Sequence, residues 1–487
     1  MISLGTISNV VGALLIVLGS LMLSALPFSI YYGEGDSQAI LIAGLITIIS
    51  GGLSLWYKFT TKQKVGKREG YLIVALAWLS MSFFSTLPYL LSDVMPDMTN
   101  AFFESVSGLT TTGASVLNDI EAVPKGILFW RSLTQWIGGM GIIVLTVAIF
   151  PLLGIGGVEL FVAEAPGPTS DKIHPRIKET AKRLWLIYVF LTALLSTLLY
   201  FEGMNFYDAI NHGLTTMATG GFSTKNASMA YFSSPLIQYT IIIFMFLAGV
   251  NYTVIYFGIK GKFRKVWASD EFKSYLFLVL TLIAIVSTTI YSVTDISFEQ
   301  SFRDASFQIV SIITTTGFVS ADYTAWAPGL SLLFFILLFI GASAGSTSGG
   351  IKIIRSLVFV KNSMLEFKRL LHPKALIRIK IDKNVVAPRI ITHIMVFLLL
   401  YLFLFVVGSI MMAIVLNDFN QPILTAMGSV ATALGNVGPG IGEVGPVDNF
   451  AKIPMSGKWI LSLLMLLGRL ELFTILILFM PYFWKMN

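Results

Sequence analysis

The sequence predicts an all-α polytopic membrane protein with four parallel span–pore-helix–filter–span repeats around a pseudo-four-fold pore, plus two extra N-terminal spans. Three observations predict this fold class. Hydrophobic residues make up 55% of the 487 residues and charged residues only 12%, whereas a soluble domain carries about 25% charged residues. Ten apolar stretches are long enough to cross a bilayer, and four Thr- and Gly-rich stretches recur between them. Together these features exclude a soluble enzyme.

The ten apolar stretches are the candidate membrane spans, because a helix needs about 20 mostly apolar residues to cross the hydrocarbon core. No Lys or Arg precedes Lys58, so the first stretch lacks the basic segment of a cleavable signal peptide and we expect it to be a span. The eighth stretch is longer than one span needs and contains the polar, glycine-rich segment 341–350. The ten stretches cover residues 7–29, 39–57, 71–92, 127–150, 184–203, 234–258, 274–293, 329–360, 390–416 and 457–484.

The basic residues indicate how the spans are oriented. Four segments and Lys485 hold 26 of the 33 Lys and Arg residues, and they fall on one side if the ten spans alternate. Because cytoplasmic loops carry an excess of Lys and Arg, we expect this side to be cytoplasmic, with both termini on it. The net charge of +7 then reflects topology and gives no support to nucleic-acid binding. The four basic segments are 57–70, 151–183, 259–273 and 352–389.

A four-fold internal repeat follows from the Thr- and Gly-rich stretches. The corresponding glycines of successive stretches are 96 to 121 residues apart, and each unit begins and ends on the same side, so the repeats are parallel. The four stretches read SVSGLTTTGAS (105–115), NHGLTTMATGGFST (211–224), IVSIITTTGFVS (309–320) and GSVATALGNVGPG (428–440). The predicted boundaries are a two-span N-terminal region at 1–70 and four repeats at 71–183, 184–273, 274–389 and 390–487.

A short re-entrant helix is predicted before each of these stretches. Ser297 and Gln300 have capping-box spacing, while Asn205 and Asn420 stand where N-caps belong. Acidic residues such as Glu104 are expected near the outer ends of these helices. Since the C-terminal end of a helix carries about −0.5 charge, four such ends that meet in mid-membrane favour a cation.

The Thr- and Gly-rich stretches supply a site for that cation. Non-helical backbone at membrane depth is tolerated where it is buried or lines a water-filled path, and glycine allows the positive φ angles that let successive carbonyls face the same way. Carbonyl oxygens from four such loops can replace the hydration shell of a monovalent cation. The alternative is that each glycine only relieves packing in a helix hairpin, and the four-fold recurrence favours the first interpretation.

The remaining composition offers no other chemistry. The chain has no cysteine and four histidines without metal-ligand spacing, and it lacks both a catalytic motif and a GxGxxG segment that opens a βαβ unit. The sequence therefore predicts that the chain is not an enzyme and holds no cofactor of its own.

At this point the motifs carry a resemblance that covers the whole chain. The sequence resembles the TrkH/KtrB superfamily of potassium transporters, in particular the TrkH branch with two additional N-terminal spans. No single motif is specific, but their ordered set is. The motifs are SGLTTTGAS, WRSLTQWIGGMGI (130–142), ATGGFST, TTTGF, GASAGSTSGGIK (341–352), ALGNVGPG and GRLELFT (468–474).

The resemblance implies a K⁺ selectivity filter, with K⁺ as the metal ion at the filter, formed by the four loops of one polypeptide. The fourth loop departs from the Thr-Gly pattern, so we expect one quadrant to differ in its side-chain oxygens. The expected filter residues are Thr110, Thr111, Thr112 and Gly113 in the first loop, Thr219, Gly220 and Gly221 in the second, Thr314, Thr315, Thr316 and Gly317 in the third, and Gly435, Asn436, Val437 and Gly438 in the fourth.

A gate is expected below the filter in the third repeat. The resemblance implies an intramembrane gating loop at 341–350 that blocks the pore and moves on opening, and the alternative is a simple helix kink. The serines and the threonine of the loop are expected to keep its backbone hydrated. The predicted gate residues are Gly341, Ala342, Ser343, Ala344, Gly345, Ser346, Thr347, Ser348, Gly349 and Gly350, together with Arg469.

Two arginines lie within predicted spans, where a central Arg costs at least about 2.5–3.5 kcal/mol on insertion scales. The resemblance implies that Arg469 faces the pore near the gating loop as an electrostatic barrier to cations, and a salt bridge to another repeat is the alternative. Glu471 points to a different helix face and is a poor local partner. For Arg131 we expect a structural role, near a helix end from which its side chain can snorkel to the surface.

The resemblance also implies partners and a location. Proteins of this family assemble as homodimers in the lipid bilayer and bind a cytosolic, nucleotide-sensing ring of the TrkA type, so any nucleotide would bind the partner. The basic segment from Lys352 to Arg389 is the best docking surface, although positive-inside topology alone explains it equally well. The expected function is K⁺ and Rb⁺ uptake across a bacterial inner membrane through a gated channel-like pore, with a K⁺ symporter coupled to H⁺ or Na⁺ as the alternative.

Overall fold

The computed structural model describes residues 4–56, 66–144, 177–375 and 377–485, which are largely helical. The predicted basic segments 57–70 and 151–183 lie mostly outside these residues. The N-terminal region contains helices Leu4–Leu23, Leu26–Tyr32 and Ser37–Trp56. Its two long helices pack closely at glycines spaced seven residues apart, because a Cβ on Gly12 would lie 2.7 Å from the Gly51 carbonyl oxygen and one on Gly19 2.8 Å from the Gly44 carbonyl oxygen.

Each of the four repeats begins with a long helix that packs against the short helix that follows it. The short helices have 12 to 16 residues and cannot cross a bilayer, so they are the pore helices of the predicted repeats. The long helices are Lys67–Phe84 with its continuation Leu87–Leu91, Ile177–Phe201, Asp270–Val293 and Pro388–Val415. The pore helices, numbered 1 to 4, are Met98–Leu109, Phe206–Met217, Phe298–Ile313 and Pro422–Gly435.

The second long segment of the repeats is less regular than the sequence predicts. The apolar runs 234–258 and 457–484 predict continuous spans, but in the structure Pro235–Ala248 and Tyr252–Ile259 are bent by 110°, and Met455–Arg469 and Phe473–Phe479 by 108°. The first break ends where Asn251 caps a new helix through the Thr253 N–H, and the second contains Glu471 at a φ of 59°. The helix of the first repeat, Lys125–Val144, continues to the edge of the described residues.

The third repeat departs most from a plain span. Helix Pro328–Leu337 ends at the intramembrane loop, and the chain resumes as the amphipathic helix Ile353–Leu371, so the run 329–360 is not one span. The remaining elements are helices Phe263–Ala268, Phe473–Leu476 and Pro481–Trp484, the 3₁₀ turns Ser228–Tyr231 and Ile477–Phe479, and the antiparallel strands Lys380–Ile381 and Asn384–Val385.

The repeats are arranged in a circle. Pore helix 2 packs against the second helix of repeat 1, pore helix 3 against that of repeat 2, and pore helix 1 against that of repeat 4. Among the described residues, six helices are long and apolar enough to cross a membrane, or eight if each bent pair forms one span. Their outward faces expose large apolar side chains such as Phe277, Leu399 and Ile414, while threonines and serines are buried at the centre. This is the architecture of a multi-pass membrane protein.

Candidate functional site

Four loops of four residues each lie at the C-terminal ends of the pore helices, and they share one backbone conformation. We call residues 110–113, 218–221, 314–317 and 435–438 filter loops 1 to 4. The last residue of each loop is a glycine with positive φ, between 75° and 108°. The second residue of each loop also has positive φ although none is glycine: Thr111 at 53°, Thr219 at 54°, Thr315 at 56° and Asn436 at 53°.

The shared conformation is a Schellman helix cap. In loop 1 the Thr111 N–H donates to Gly108 O at 2.9 Å and the Thr112 N–H to Ser107 O at 2.8 Å, which is the paired pattern of this cap. The corresponding N–H groups of the other three loops donate to equivalent carbonyls, at 2.8 to 3.4 Å. All four pore helices therefore end in the same way, and their partial negative charges converge on the loops.

The loops form a closed ring in the order of the repeats. A side-chain Cβ on Gly438 would lie 2.7 Å from Thr112 O of loop 1. The same substitution at Gly113, Gly221 or Gly317 would bring a Cβ still closer to a carbonyl oxygen of the next loop, namely Gly220 O, Thr316 O and Val437 O respectively. Each filter glycine is thus packed against the backbone of its neighbour, and no other residue fits these positions without moving that backbone.

Side chains within the loops are almost entirely buried. The same contact between two threonine hydroxyl groups occurs in loops 1 and 3. The Oγ1 atoms of Thr110 and Thr112 are 2.7 Å apart, and those of Thr314 and Thr316 are 2.8 Å apart. In loop 4 the amide of Asn436 replaces a hydroxyl: its Nδ2 donates to Thr112 Oγ1 at 3.0 Å and to Met465 O at 2.9 Å. Ala218 stands at the first position of loop 2, which the sequence analysis did not include among the filter residues.

Gln135 supports the ring from behind, and its role was missed in the sequence. Its Nε2 donates to Gly220 O at 2.6 Å, and its Oε1 accepts from the Phe222 N–H at 3.1 Å. One side-chain amide thereby fixes both peptide groups around Gly221. The only signal in the sequence was its place in the motif WRSLTQWIGGMGI, one helical turn after Arg131.

Arg131 has a structural role, but it does not snorkel. It is buried, and its Nε lies 2.7 Å from Glu104 Oε1 in an ion pair whose side chains are 2% and 0% exposed. Its Nη1 donates to Ser223 O at 3.2 Å, and its guanidinium stacks 3.5 Å from the Phe222 ring centroid. Glu104, expected near the outer end of pore helix 1, instead lies deep within it and accepts the Val116 N–H at 2.9 Å.

The outer ends of the pore helices are capped in two ways. Asp97, Asn205 and Ser297 each accept the N–H three residues ahead, so the predicted caps of pore helices 2 and 3 are correct. In pore helix 4 the predicted cap Asn420 does not serve. The carboxylate of Glu443 accepts its N–H at 2.8 Å and that of Gln421 at 3.2 Å.

The outer loops of repeats 1 and 2 are also joined above the ring. Asn226 accepts the Ile120 N–H at 2.7 Å and donates through Nδ2 to Asp119 Oδ1 at 2.9 Å. This hydrogen bond from Asn226 is the main cause that lowers the pKa of the Asp119 carboxyl below its ordinary value. The first two repeats are therefore held together both at the surface and behind the ring.

The intramembrane loop, residues 341–350, lies directly against the ends of the pore helices. The Gly349 N–H donates to Thr315 Oγ1 at 2.7 Å, and Thr347 Oγ1 donates to Met217 O at 3.1 Å and to Ala248 O at 3.3 Å. A Cβ on Gly349 would lie 2.5 Å from Gly435 O. The loop thus contacts the C-terminal ends of pore helices 2, 3 and 4.

The hydroxyl groups of this loop are buried, whereas the sequence predicted that they keep an exposed backbone hydrated. Ser343, Ser346, Thr347 and Ser348 are at most 2% exposed, and the protein supplies the partners of the loop backbone. The Ser343 N–H donates to Gly249 O at 3.0 Å, the Ala344 N–H to Glu271 Oε1 at 2.7 Å and the Gly341 N–H to Ile351 O at 2.9 Å. The segment is a compact, hydrogen-bonded loop and not a simple kink.

Arg469 connects this loop to the first repeat. It is 2% exposed, and its Nη1 donates to Thr347 O at 2.7 Å while its Nη2 donates to Gly138 O at 3.2 Å. Glu471 is not a partner of Arg469, as expected, and pairs with Arg355. Arg469 forms no ion pair within the described residues. A second cation, Lys352, donates to the carbonyl and the hydroxyl oxygen of Ser348.

Comparison with known proteins agrees with this architecture. The TrkH family, described as a cation transport protein, matches residues 36–486. The chain is 41% identical to the Trk system potassium uptake protein TrkH of Salmonella typhimurium over 98% of this chain and 99% of the relative. It is 38% identical to the protein of the same name from Halomonas elongata, over 99% of this chain and 100% of the relative.

A solved structure extends the similarity to the fold. The crystal structure of the potassium transporter TrkH from Vibrio parahaemolyticus aligns with 99% of this chain and 100% of its own, at a TM-score of 0.90 and 36% identity. The predicted fold class and the predicted family are confirmed, and the family is one of transporters and not of enzymes. The chain belongs to the TrkH family of cation transport proteins.

Proposed function

We propose that this chain is the pore-forming subunit of a K⁺ uptake system in a bacterial inner membrane, which also conducts Rb⁺. The observation that carries the proposal is the closed ring of four filter loops with one repeated backbone conformation. The names of the relatives, which are potassium uptake proteins at up to 41% identity, support the choice of ion. No other site of comparable regularity occurs in the described residues.

The ring suits a weakly hydrated monovalent cation. Backbone carbonyls of the filter loops replace the water shell of the ion, and the four pore-helix ends contribute negative potential without a fixed carboxylate. No Asp or Glu occupies any position of the four loops, so a divalent cation gains no full negative charge there. The selectivity rests on the backbone itself, since each filter glycine is packed against the next loop.

The intramembrane loop and Arg469 form the gate in this proposal. Contacts with the ends of three pore helices and with Gly138 of the first repeat support a position across the ion path. Arg469 places a positive charge beneath the ring and opposes cation passage while the loop is in place. Conduction requires the loop to move, which breaks the hydrogen bonds of Thr347 and Gly349.

The cytoplasmic face binds the partners that the family resemblance implies. The helix Ile353–Leu371 exposes apolar residues such as Phe367 and Leu371 beside Lys368, which supports docking of a TrkA-like nucleotide-binding ring. The nucleotide then binds the ring, and this chain needs no cofactor beyond transported K⁺.

In the same proposal two copies form a homodimer and both termini are cytoplasmic. Light scattering of the purified protein, alone and with the ring protein, tests both assemblies: a monomeric mass or unchanged mass on mixing contradicts them.

Flux through proteoliposomes tests the transport function. The purified chain should carry K⁺ or Rb⁺ down its gradient much faster than it carries Na⁺, and equal Na⁺ flux would contradict the filter. An imposed pH gradient separates the two mechanisms. A reversal potential that stays at the K⁺ equilibrium potential supports a channel-like pore, whereas a shift that follows the proton gradient supports the coupled symporter.

A further inference from the structure

A polar side chain occupies the same position in every pore helix, nine residues before the filter glycine. The four residues are Glu104, His212, Gln308 and Ser429, and all are fully buried. Burial of a polar group is costly unless it is hydrogen-bonded, so such a recurrence at one level of the ring indicates a common task. Because the four side chains differ in chemical type, the sequence does not reveal that this position recurs.

Three of these side chains bond to a serine just beyond the filter glycine of their own repeat. Ser115 donates to Glu104 Oε1 at 3.0 Å, the His212 Nε2 and Ser223 Oγ are 2.9 Å apart, and Gln308 Nε2 donates to Ser320 Oγ at 3.2 Å. Each bond joins a rigid helix to the chain that leaves the filter loop. It therefore restrains the segment that follows the filter glycine.

The contacts of the histidine select one tautomer of the neutral ring. Its Nδ1 lies 2.8 Å from Asp208 O, and since a carbonyl can only accept, Nδ1 carries the proton. In the neutral ring Nε2 is then the acceptor for the Ser223 hydroxyl. Ser223 is also the residue whose carbonyl accepts from Arg131, so the brace of loop 2 meets the ion pair of loop 1 at this residue.

The fourth repeat lacks the brace. Ser429 is too short and bonds to Ala426 O within its own helix at 3.0 Å, and Pro439 and Gly440 offer no hydroxyl. Loop 4 is held instead by the Gly438 N–H, which donates to Thr432 Oγ1 at 2.8 Å, and by Tyr323 of repeat 3, which donates to Gly440 O at 2.7 Å. The same loop carries Asn436 in place of threonine.

We infer that Glu104, His212 and Gln308 are positioning residues that maintain cation selectivity by bracing filter loops 1 to 3 from behind, with Arg131 linking the first brace to the second loop. This inference rests on the proposed K⁺ transport. The brace of loop 1 is the strongest, because Glu104 is buried, is paired with Arg131 and also accepts the Val116 N–H. Selectivity depends on it most.

The test measures the Rb⁺-over-Na⁺ permeability ratio in proteoliposomes together with the melting temperature of each variant. Glu104→Gln keeps the side-chain shape but removes the charge and one acceptor, and we expect the ratio to fall about tenfold, as for the loss of one charge-assisted contact. The matched control is Glu299→Gln, which also removes a pore-helix carboxylate paired with an arginine, Arg303 at 3.4 Å, but at an exposed site. Its ratio should equal that of the wild type.

Milder variants keep the test decisive if Glu104→Gln does not fold. Ser115→Ala and Ser320→Ala remove one brace bond each at partly buried serines, and we expect a smaller but measurable fall of the ratio at unchanged melting temperature. Wild-type selectivity in folded Ser115→Ala and Ser320→Ala would overturn the inference. A wild-type protein without Rb⁺ preference would instead contradict the proposed function itself.

Discussion

The second position of each filter loop places a non-glycine residue in the left-handed region of φ/ψ space. For β-branched threonine this region costs roughly 1–2 kcal/mol, and Thr111, Thr219 and Thr315 all occupy it. Such strain persists at sites where the surrounding structure determines the conformation, which is typical of functional sites. The sequence predicts the positive φ of the glycines but not that of the threonines, because the cap that imposes it becomes visible only in the hydrogen bonds.

Thr111→Gly tests whether this strained threonine is kept for its hydroxyl. Thr111 Oγ1 has no hydrogen-bond partner among the described residues, and glycine removes about 1 kcal/mol of backbone strain. We therefore expect a melting temperature that is equal or higher in NaCl, together with a smaller extra stabilisation by KCl, because bound K⁺ stabilises the folded state by mass action. Thermal unfolding in the two salts measures both.

The control for this variant is Asp93→Gly, which relieves a φ of 56° at an exposed residue and should leave the K⁺ effect unchanged. A melting temperature several degrees lower in both salts, with an undiminished K⁺ effect, would show that Thr111 only packs.

Among the elements, the pore helices were the most predictable from sequence and the second long helices the least. The caps of pore helices 2 and 3 were predicted correctly because capping signals are local, whereas the predicted cap of pore helix 4, Asn420, was wrong. The breaks after Ala248 and Arg469 were not predicted, since an interruption of three residues leaves the mean hydropathy of a span high. The ten-residue interruption at 341–350 was visible, but its burial depends on partners such as Met217 and Thr315 that are distant in sequence.

The position of the intramembrane loop leads to a prediction for Thr347→Val. This change preserves volume but removes the hydroxyl that donates to Met217 O and Ala248 O, and loss of this shared hydrogen bond costs about 1 kcal/mol net. In the proposed gate the closed state loses that stabilisation, so we expect Rb⁺ flux of the chain alone to rise about fivefold. Tracer uptake into proteoliposomes measures the change.

Thr324→Val is the matched control, because Thr324 lies exposed in an outer loop and its hydroxyl donates to the neighbouring carboxylate of Asp322. Flux at or below the wild-type level in Thr347→Val, with an intact melting temperature, would remove the loop from the gate.

For the whole molecule, the spacing of the Thr- and Gly-rich stretches was enough to predict four parallel repeats, since one repeated motif with constant topology allows few arrangements. The contacts that join the repeats could not be predicted. Arg131 with Ser223 and Arg469 with Gly138 are pairs that only the closed circle brings together. These contacts determine where the buried charges lie. The structural role predicted for Arg131 is therefore correct, but the predicted snorkelling is wrong.

The central claim is that four loops of one chain form a single ring, and the most direct test measures the Rb⁺-over-Na⁺ permeability ratio of four variants: Gly113→Ser, Gly221→Ser, Gly317→Ser and Gly438→Ser. Each serine would meet the carbonyl of the next loop, so every variant should lose selectivity. The control Gly203→Ser adds a side chain at a φ of 108° with open space around it and should keep the wild-type ratio. If any of the four folded variants retains wild-type selectivity, that loop is not part of the filter and the four-fold ring is contradicted.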